Sequence, residues 1–295
     1  MIKIFLKNLL LILFVLTVFA CADDVLQKTV GSPKDKVKVE GVDYFLPKIN
    51  LSNWKVTLPI GAPTEVSPPA ILNYATNETL KPFFYNDSTD ASLVFYTYPG
   101  ATTNNTSYSR TELREQLVPG DNSTNWTFPQ GGVMKGTLAV PEISKDASGN
   151  FHRTIIMQIH GRLSNEQRNR IGASDNDAPP MLKIYWQNKK VRVITKVLKN
   201  VNASETDILK KDSWTDDGGF YFKEEVGTGK FTLEVKASDG KLTVTLNGNE
   251  TVTYENIHMQ KWSVFENYFK AGNYLGTNDQ GAYAKVKYYT LEVSH

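Results

Sequence analysis

Charged side chains alternate along the segment RTELREQL, which covers residues 110–117. Successive side chains of a β-strand point to opposite faces, so Arg110, Glu112 and Arg114 share one face, and Leu113 lies on the other. A face with two guanidinium groups and one carboxylate is suited to holding an acidic substrate. The same face is also typical of a solvated ladder of cross-strand ion pairs, and the alternation alone does not separate the two interpretations.

Two further segments have polar groups on one face of a predicted strand. In RTIIMQIHGR, Gln158 and His160 share a face, although a single histidine in a strand is more often structural than catalytic. In YFKAGNYLG, Gly272 permits a bulge or a close backbone approach. The evenly spaced polar side chains of this segment also share a face if the strand is regular, and the structural alternative is an aromatic edge strand with an amphipathic lysine. They are Tyr268, Lys270 and Tyr274.

Together, the three segments offer the groups that β-elimination on a polyuronate needs. Abstraction of the proton at C5 of a uronate places negative charge on its carboxylate, and an arginine with an amide donor can neutralise that charge. A neutral histidine or a tyrosine can take the proton, and a tyrosine hydroxyl can protonate the departing O4. The reaction needs neither water as a reactant nor a metal, so we expect no cofactor.

The rest of the chain has the pattern of one all-β domain. From about residue 45 to residue 295, short runs rich in Val, Ile, Thr, Tyr and Phe alternate with clusters of Gly, Asn, Asp and Pro. The segment KASDGKLTVTLNG contains the hairpin pair Asp239 and Gly240 between alternating residues. Short helices are predicted only at ASETDILKK and PPAILNY. The pattern therefore predicts a β-sandwich or jelly roll over residues 45–295.

Several of these segments are similar to the motifs of a known enzyme family. SRTELREQ, QIH and YFKAGNY resemble the three signature motifs of polysaccharide lyase family 7, the alginate lyases, and NWKVTLPIG resembles the family's first strand. The resemblance covers roughly residues 45–295. It implies a β-jelly roll whose two antiparallel sheets form a sandwich with an open concave cleft, and it implies lyase activity on the acidic polysaccharide alginate. We expect the chain to be a monomer.

The resemblance assigns roles to individual residues. Arg110 and Gln158 would neutralise the uronate carboxylate. His160 would be the base for at least one uronate epimer, or would help to neutralise the carboxylate. Tyr274 would be the acid, and with some substrates the base as well. Further substrate-binding positions are Glu112, Arg114 and Lys270, which match family positions that line the subsites, and Tyr268, whose role within its motif is open.

The sequence departs from the family pattern after the third motif. The family usually has a glutamine two residues after the catalytic tyrosine, and Gly276 stands there in this chain. After a small insertion, Gln280 is a candidate replacement that would contact the substrate. The alternative is a subsite of different composition.

The resemblance also bears on substrate preference and on the mode of cleavage. QIH, with Ile159, is associated in the family with guluronate-containing alginate, so we expect a preference for guluronate-containing or mixed blocks. An open cleft predicts endolytic cleavage, whereas an exolytic enzyme needs a loop that closes one end. Residues 118–132 and 162–180 are long enough to form such a loop.

Other classes of protein fit the motifs less well. A non-catalytic polyuronate-binding lipoprotein on the same scaffold would keep the arginines but would not need His160 or Tyr274. A glycoside hydrolase would need two carboxyl groups placed as acid and nucleophile, but Glu112 and Glu115 lie on opposite strand faces. The sequence has neither the H-E-x-x-H metal motif nor the G-x-S-x-G motif of serine hydrolases.

The N-terminus has the features of an export signal. Residues 1–20 combine Lys3 and Lys7 with a short apolar run, as in a signal peptide. VFAC, which ends at Cys21, resembles a bacterial lipobox, so we expect lipidation of Cys21 and attachment to a bacterial outer membrane or cell surface. Residues 21–44 would form a polar tether. The alternative is an ordinary secretory signal with an incidental cysteine.

The net charge does not indicate a nucleic-acid partner. Removal of residues 1–20 takes away two of the 33 Lys and Arg residues and none of the 31 Asp and Glu residues, which leaves 31 of each sign. A site for a polyanion therefore requires a local basic patch. Cys21 is the only cysteine, so no intramolecular disulfide can form.

Overall fold

The computed structural model describes the backbone of residues 35–39 and 42–44 and both backbone and side chains of residues 45–295. Residues 1–34 lie outside these described residues; they comprise the predicted signal peptide and the first part of the predicted tether, which begins at Cys21. Asp35–Val39 and Val42–Leu46 pair as antiparallel strands. The last part of the predicted tether is therefore in extended, paired structure.

Strands account for nearly half of the described chain. In chain order they are β1 (Asp35–Val39), β2 (Val42–Leu46), β3 (Lys48–Ile49), β4 (Trp54–Thr57), β5 (Glu65–Val66), β6 (Phe84–Asp87), β7 (Ser92–Thr97), β8 (Arg110–Glu115), β9 (Trp126–Thr127), β10 (Gly132–Ile143), β11 (Thr154–Arg162), β12 (Asp177–Gln187), β13 (Lys190–Leu198), β14 (Trp214–Asp216), β15 (Phe220–Glu225), β16 (Phe231–Ser238), β17 (Lys241–Leu246), β18 (Glu250–Tyr254), β19 (Glu266–Leu275) and β20 (Ala284–Ser294).

Two large sheets contain most of these strands. The 10-stranded sheet has the order β14-β13-β12-β11-β19-β8-β4-β5, with β15 beside β13 and β9 beside β19. The 8-stranded sheet has the order β18-β17-β16-β10-β20-β7-β6, with β3 beside β20. Strands that are distant in sequence are neighbours in both sheets, as the long connections of a jelly roll require. The prediction of an all-β jelly roll is confirmed.

The hydrophobic core lies between the two sheets. Leu113, Ile159 and Phe269 of the 10-stranded sheet are completely buried. From the 8-stranded sheet, Phe95 and Tyr288 pack edge to face with ring centroids 5.4 Å apart. Burial of each large apolar side chain contributes about 1.5–3 kcal/mol. Because a shift of one residue would turn a strand's apolar side chains outward, this burial also fixes the register.

A bulge in β11 changes which side chains face outward. The register between β11 and β19 shifts between Ile155 and Met157. Met157 is completely buried in the core, whereas Ile155 packs against Tyr274 on the outer face of the 10-stranded sheet. Alternation continues after the bulge, so that Gln158 lies on the outer face.

A buried carboxylate fixes the inner side of β8. Glu115 accepts hydrogen bonds from Trp126 Nε1 (3.1 Å) and from the backbone nitrogen of Phe269 (2.9 Å). His295 lies with Nε2 2.7 Å from Glu115 and Nδ1 3.0 Å from the carbonyl oxygen of Gly131. Burial lowers the pKa of His295, but these two bonds outweigh it and raise the pKa above its usual value. The last residue of the sequence is thus attached to the strand that contains Arg110 on its outer face.

Three short α-helices lie in the connections of the described part of the chain. They are α1 (Asn165–Ile171), α2 (Glu205–Ile208) and α3 (Ile257–Trp262). The sequence predicted α2, and a 3-10 helix (Ala70–Asn73) lies within PPAILNY. Helix α1 was not predicted, although Ser164 and Gln167 form a capping box and Gly172 ends the helix in a left-handed conformation.

Candidate active site

Three neighbouring strands, β8, β19 and β11, bring the predicted polar groups together on the outer face of the 10-stranded sheet. The hydrogen-bond register places residues of the three motifs side by side, so groups more than 150 positions apart in sequence become neighbours. The paired positions are Arg110 with Tyr274, Arg114 with Lys270, Lys270 with Gln158, and Tyr268 with His160.

A buried carboxylate lies at the centre of this arrangement. Glu112 is only 1% exposed, and it accepts a hydrogen bond of 2.5 Å from Gln158 Nε2. Its other oxygen forms an ion pair with Lys270 and lies 3.8 Å from Arg110 Nε. The residue of β19 opposite Glu112 is Gly272, and an added Cβ there would lie 2.7 Å from a backbone oxygen of β8. The glycine, whose φ is +144°, therefore permits the close approach of β19 to the backbone of β8 beside Glu112.

His160 is held in a neutral form. Its Nδ1 lies 3.0 Å from the carbonyl oxygen of Gly161, and its ring stacks on Tyr268 with centroids 5.2 Å apart. Burial, aided by the charge of Lys270, lowers the pKa of His160 to about 4, against the opposing effect of Asp177. In the neutral ring Nδ1 donates to the carbonyl, so Nε2 is left as an acceptor. This nitrogen is suited to accept a proton from a substrate.

Tyr274 is held in a protonated form. Its ring packs against Ile155 and Tyr185, and the guanidinium of Arg110 lies 5.9 Å from the ring centroid. Burial, with the charge of Glu112, raises the pKa of Tyr274, although Arg110 acts in the opposite direction. A tyrosine that keeps its proton at neutral pH is suited to donate it to a leaving group.

Arg114 has a different environment from Arg110. It donates hydrogen bonds to the carbonyl oxygens of Glu115 (2.5 Å) and Asn122 (2.9 Å) and to Asn125 Oδ1 (2.7 Å). Its guanidinium also lies 4.1 Å from the centroid of the Tyr268 ring. Arg114 therefore holds the loop that follows β8, in addition to lining a small cavity beside Tyr268.

The outer-face side chains line two neighbouring cavities. A cleft of about 580 Å³ contains Gln158, His160 and Tyr274. A neighbouring cavity of about 230 Å³ contains Tyr268, and the two cavities share Arg110 among their lining residues. A larger cavity of about 830 Å³, elsewhere in the described chain, is lined by none of Gln158, His160 and Tyr274.

Contacts between two loops join the walls of the cleft. Asn105, in the loop before β8, donates a hydrogen bond of 3.1 Å to Asp175, in the segment before β12. Lys211 donates to Asn105 Oδ1 at 3.4 Å and forms an ion pair with Asp177. Two loops were predicted as candidates to close the cleft. Residues 162–180 contribute to this wall, whereas Asn122, from residues 118–132, lines the smaller cavity.

One predicted substrate-binding residue lies away from the cleft. Gln280 is exposed in a turn after β19 and is not among the residues that line the cleft, whereas Gly276 is. Within residues 45–295, no group of three or more His, Cys, Asp and Glu side chains could hold a metal ion. None of the helices in the described residues is long and apolar enough to span a membrane.

Comparison with known proteins decides the family. The sequence model of the alginate lyase family matches residues 49–295. The chain belongs to the alginate lyase family. It is also similar to the crystal structure of alginate lyase A1-II', a member of polysaccharide lyase family 7, with 30% identity and a TM-score of 0.65 over 83% of this chain and 95% of that one. The prediction of a polysaccharide lyase from the three motifs is confirmed.

Other solved alginate lyases share this fold. A variant of A1-II' with a His-to-Asn and a Tyr-to-Phe substitution, in complex with substrate (GGMG), is 30% identical and gives a TM-score of 0.66 over 83% of this chain and 93% of that one. An alginate lyase from Pseudomonas aeruginosa shares the fold, with 22% identity and a TM-score of 0.61 over 83% and 99% of the two chains. A comparison with curated protein sequences gives no significant match.

The protonation of His160 gives a prediction for this lyase. Because burial lowers the pKa of His160 to about 4, the ring is neutral at pH 6 and becomes charged only as the pH falls through about 4. If His160 is the base, kcat/KM should be constant from about pH 5 to 7 and should fall below about pH 4, rather than below the usual histidine pKa of about 6.5. The measurement is the initial rate on alginate from pH 3.5 to 8, with circular dichroism at each pH as the control for folding.

His160→Asn should lower the rate by about 100-fold or more across this range and remove the acidic limb. An acidic limb near pH 6.5 in the wild type would contradict a neutral His160.

Proposed function

We propose that this alginate lyase cleaves 1,4-glycosidic bonds of alginate by β-elimination and releases 4,5-unsaturated oligouronates. The observation that supports the reaction is the hydrogen bond between Gln158 and Glu112 beside a neutral His160 and a protonated Tyr274. One cleft thus contains an amide donor, a base and an acid. Arg110 adds a positive charge, and its Nε lies 3.8 Å from a carboxylate oxygen of Glu112.

Each step of the reaction has a residue in this cleft. Arg110 and Gln158, which keeps a second amide hydrogen for the substrate, bind the uronate carboxylate. His160 Nε2 takes the C5 proton, and the negative charge that develops on the carboxylate is stabilised by these donors. The C4–O4 bond then breaks, the C4–C5 double bond forms, and the Tyr274 hydroxyl gives its proton to O4. For the epimer whose C5 proton faces the opposite side of the ring, Tyr274 is the base as well.

We further propose a preference for guluronate-containing or mixed blocks. The motif QIH supports it, and Ile159 is completely buried, so this residue acts only through the packing under Gln158 and His160. The similar lyase A1-II' has been crystallised as a variant with substrate (GGMG).

We propose endolytic cleavage for the same enzyme. The contacts that join the cleft walls are side-chain bonds of Asn105 and Lys211 at the protein surface. Such hydrogen bonds contribute about 0.5–1.5 kcal/mol each, so thermal opening of these contacts would admit the interior of a polymer.

We also propose that the active enzyme is a monomer, because all of the proposed catalytic groups come from one chain. Light scattering of the active fraction tests this.

The elimination is tested with Tyr274→Phe. The new double bond is conjugated with the carboxylate, so ultraviolet absorbance follows the reaction directly. We expect the variant to lose about 10²- to 10⁴-fold in kcat, since it cannot protonate O4. Tyr283→Phe, whose ring lies outside the cleft, is the matched control and should keep wild-type activity. Absence of unsaturated product from folded wild-type enzyme on every block type would refute the proposed reaction.

Digestion of purified alginate blocks tests both the block preference and the endolytic mode of cleavage. Initial rates on purified guluronate and mixed blocks should exceed the rate on mannuronate blocks. Early products should cover many chain lengths, as expected of endolytic cleavage. Accumulation of only the smallest products from the start would show exolytic cleavage instead.

For the N-terminus, we propose that Cys21 is lipidated after removal of residues 1–20 and anchors the enzyme to a bacterial outer membrane or cell surface. The basic start, the short apolar run and VFAC support this processing. Metabolic labelling with a fatty acid should mark the wild type and should fail with Cys21→Ser. Equal labelling of both proteins would contradict the proposal.

A further inference from the structure

Arg153 is a cation of the cleft that none of the three motifs contains. Its side chain lies on the outer face of the 10-stranded sheet, two positions before Ile155, and lines the same cleft as Tyr274. The guanidinium lies 5.2 Å from the centroid of the Tyr185 ring, which is 6% exposed. This cation–π contact holds the charged group at one end of the cleft.

Gly276 provides the space that Arg153 occupies. The backbone nitrogen of Gly276 donates a hydrogen bond of 2.9 Å to the carbonyl oxygen of Arg153. A Cβ added at Gly276 would lie 2.9 Å from Cγ and 3.3 Å from Nε of Arg153. Contacts under 3.0 Å are not tolerated without movement, so a larger residue at position 276 would displace the arginine side chain.

Arg153 differs in its charge balance from the other lysine and arginine side chains that line this cleft. Each of those forms an ion pair with a carboxylate. Among the described residues, Arg153 has no such partner. The pairs are Arg110 and Lys270 with Glu112, Lys183 and Lys196 with Asp216, and Lys211 with Asp177.

We propose that Arg153, with Gly276 and Tyr185, forms a subsite that binds the carboxylate of a uronate residue next to the one undergoing elimination. This inference rests on the proposed function. An unpaired guanidinium can bind a carboxylate through two parallel hydrogen bonds, and no internal ion pair has to be broken first. Along the strands, Gly276 is two residues, or about 7 Å, beyond Tyr274. The subsite is therefore separate from the site at which Arg110 and Gln158 hold the reacting uronate.

Binding measurements without turnover test the subsite directly. In the Tyr274→Phe background, calorimetry with a guluronate tetrasaccharide should show that Arg153→Gln raises Kd by about tenfold or more, the usual effect of losing a charge-assisted hydrogen bond. Gly276→Leu should raise Kd similarly, because its side chain displaces Arg153 and adds no hydrogen-bonding group. Arg153→Lys should give an intermediate Kd, because it keeps the charge and loses the planar donor pair.

Arg192→Gln is the matched control. Arg192 also lies over a tyrosine ring, 5.0 Å from the centroid of Tyr221, but it does not line the cleft. Its replacement should leave Kd unchanged. In the active enzyme, Arg153→Gln should raise KM and change kcat by less than about twofold, whereas loss of Tyr274 acts on kcat.

The outcomes separate this inference from the proposed function. If the wild type forms unsaturated product and Arg153→Gln binds the tetrasaccharide as tightly as its parent, the subsite is refuted and the lyase reaction stands. If the wild type forms no product but Arg153→Gln weakens binding, the subsite is supported and the reaction is refuted. A loss of binding in Arg192→Gln equal to that in Arg153→Gln would also overturn the subsite.

Discussion

The buried carboxylate of Glu112 is the constraint on which the active site depends. A carboxylate that is 1% exposed would be strongly destabilising without partners, since breaking a buried ion pair costs about 3–5 kcal/mol. Lys270 and Gln158 supply those partners from two other strands. The need to satisfy one buried charge therefore fixes the positions of the groups that face the substrate. We interpret Glu112 as a positioning residue beneath the cleft, rather than as a surface that the sugar touches.

Backbone features make this arrangement possible. Gly272 lets β19 lie close against the backbone of β8 beside Glu112, and the bulge at Ile155 places an apolar support under Tyr274. On the opposite face, the fixed Glu115 holds β8 against Phe269. The site is therefore built on strands that the core keeps in register, which is the rigid support that precise proton transfer needs.

Much of this could be predicted from the sequence because a strand has a period of two. The alternation in RTELREQL correctly separated Arg110 from Leu113, and the order of the motifs indicated both the family and the jelly roll. Burial along the outer face was not predictable, because it depends on partners from other strands. The sequence therefore placed Glu112 and Arg114 with the substrate contacts, whereas Glu112 is enclosed and Arg114 also holds a loop.

Long-range contacts between loops could likewise not be predicted from the sequence. Asn105 and Asp175 are 70 positions apart, and nothing local indicates that their side chains meet. The environment of Arg153 depends on Gly276, and only the sheet register brings these two residues together. Helix α1 is different, because its capping residues were present in the sequence and would have predicted it.

The most direct measurement of the central claim is the activity of Glu112→Gln, which removes the buried charge with little change in shape. If Glu112 positions the carboxylate-binding groups, kcat on alginate should fall by about 100-fold, the order seen when a stabilising donor is lost from a transition state, while the protein remains folded. Glu142→Gln, which removes the 2.9 Å ion pair with Lys285 outside the cleft, should keep wild-type activity. A folded Glu112→Gln enzyme with kcat within twofold of the wild type would contradict the account.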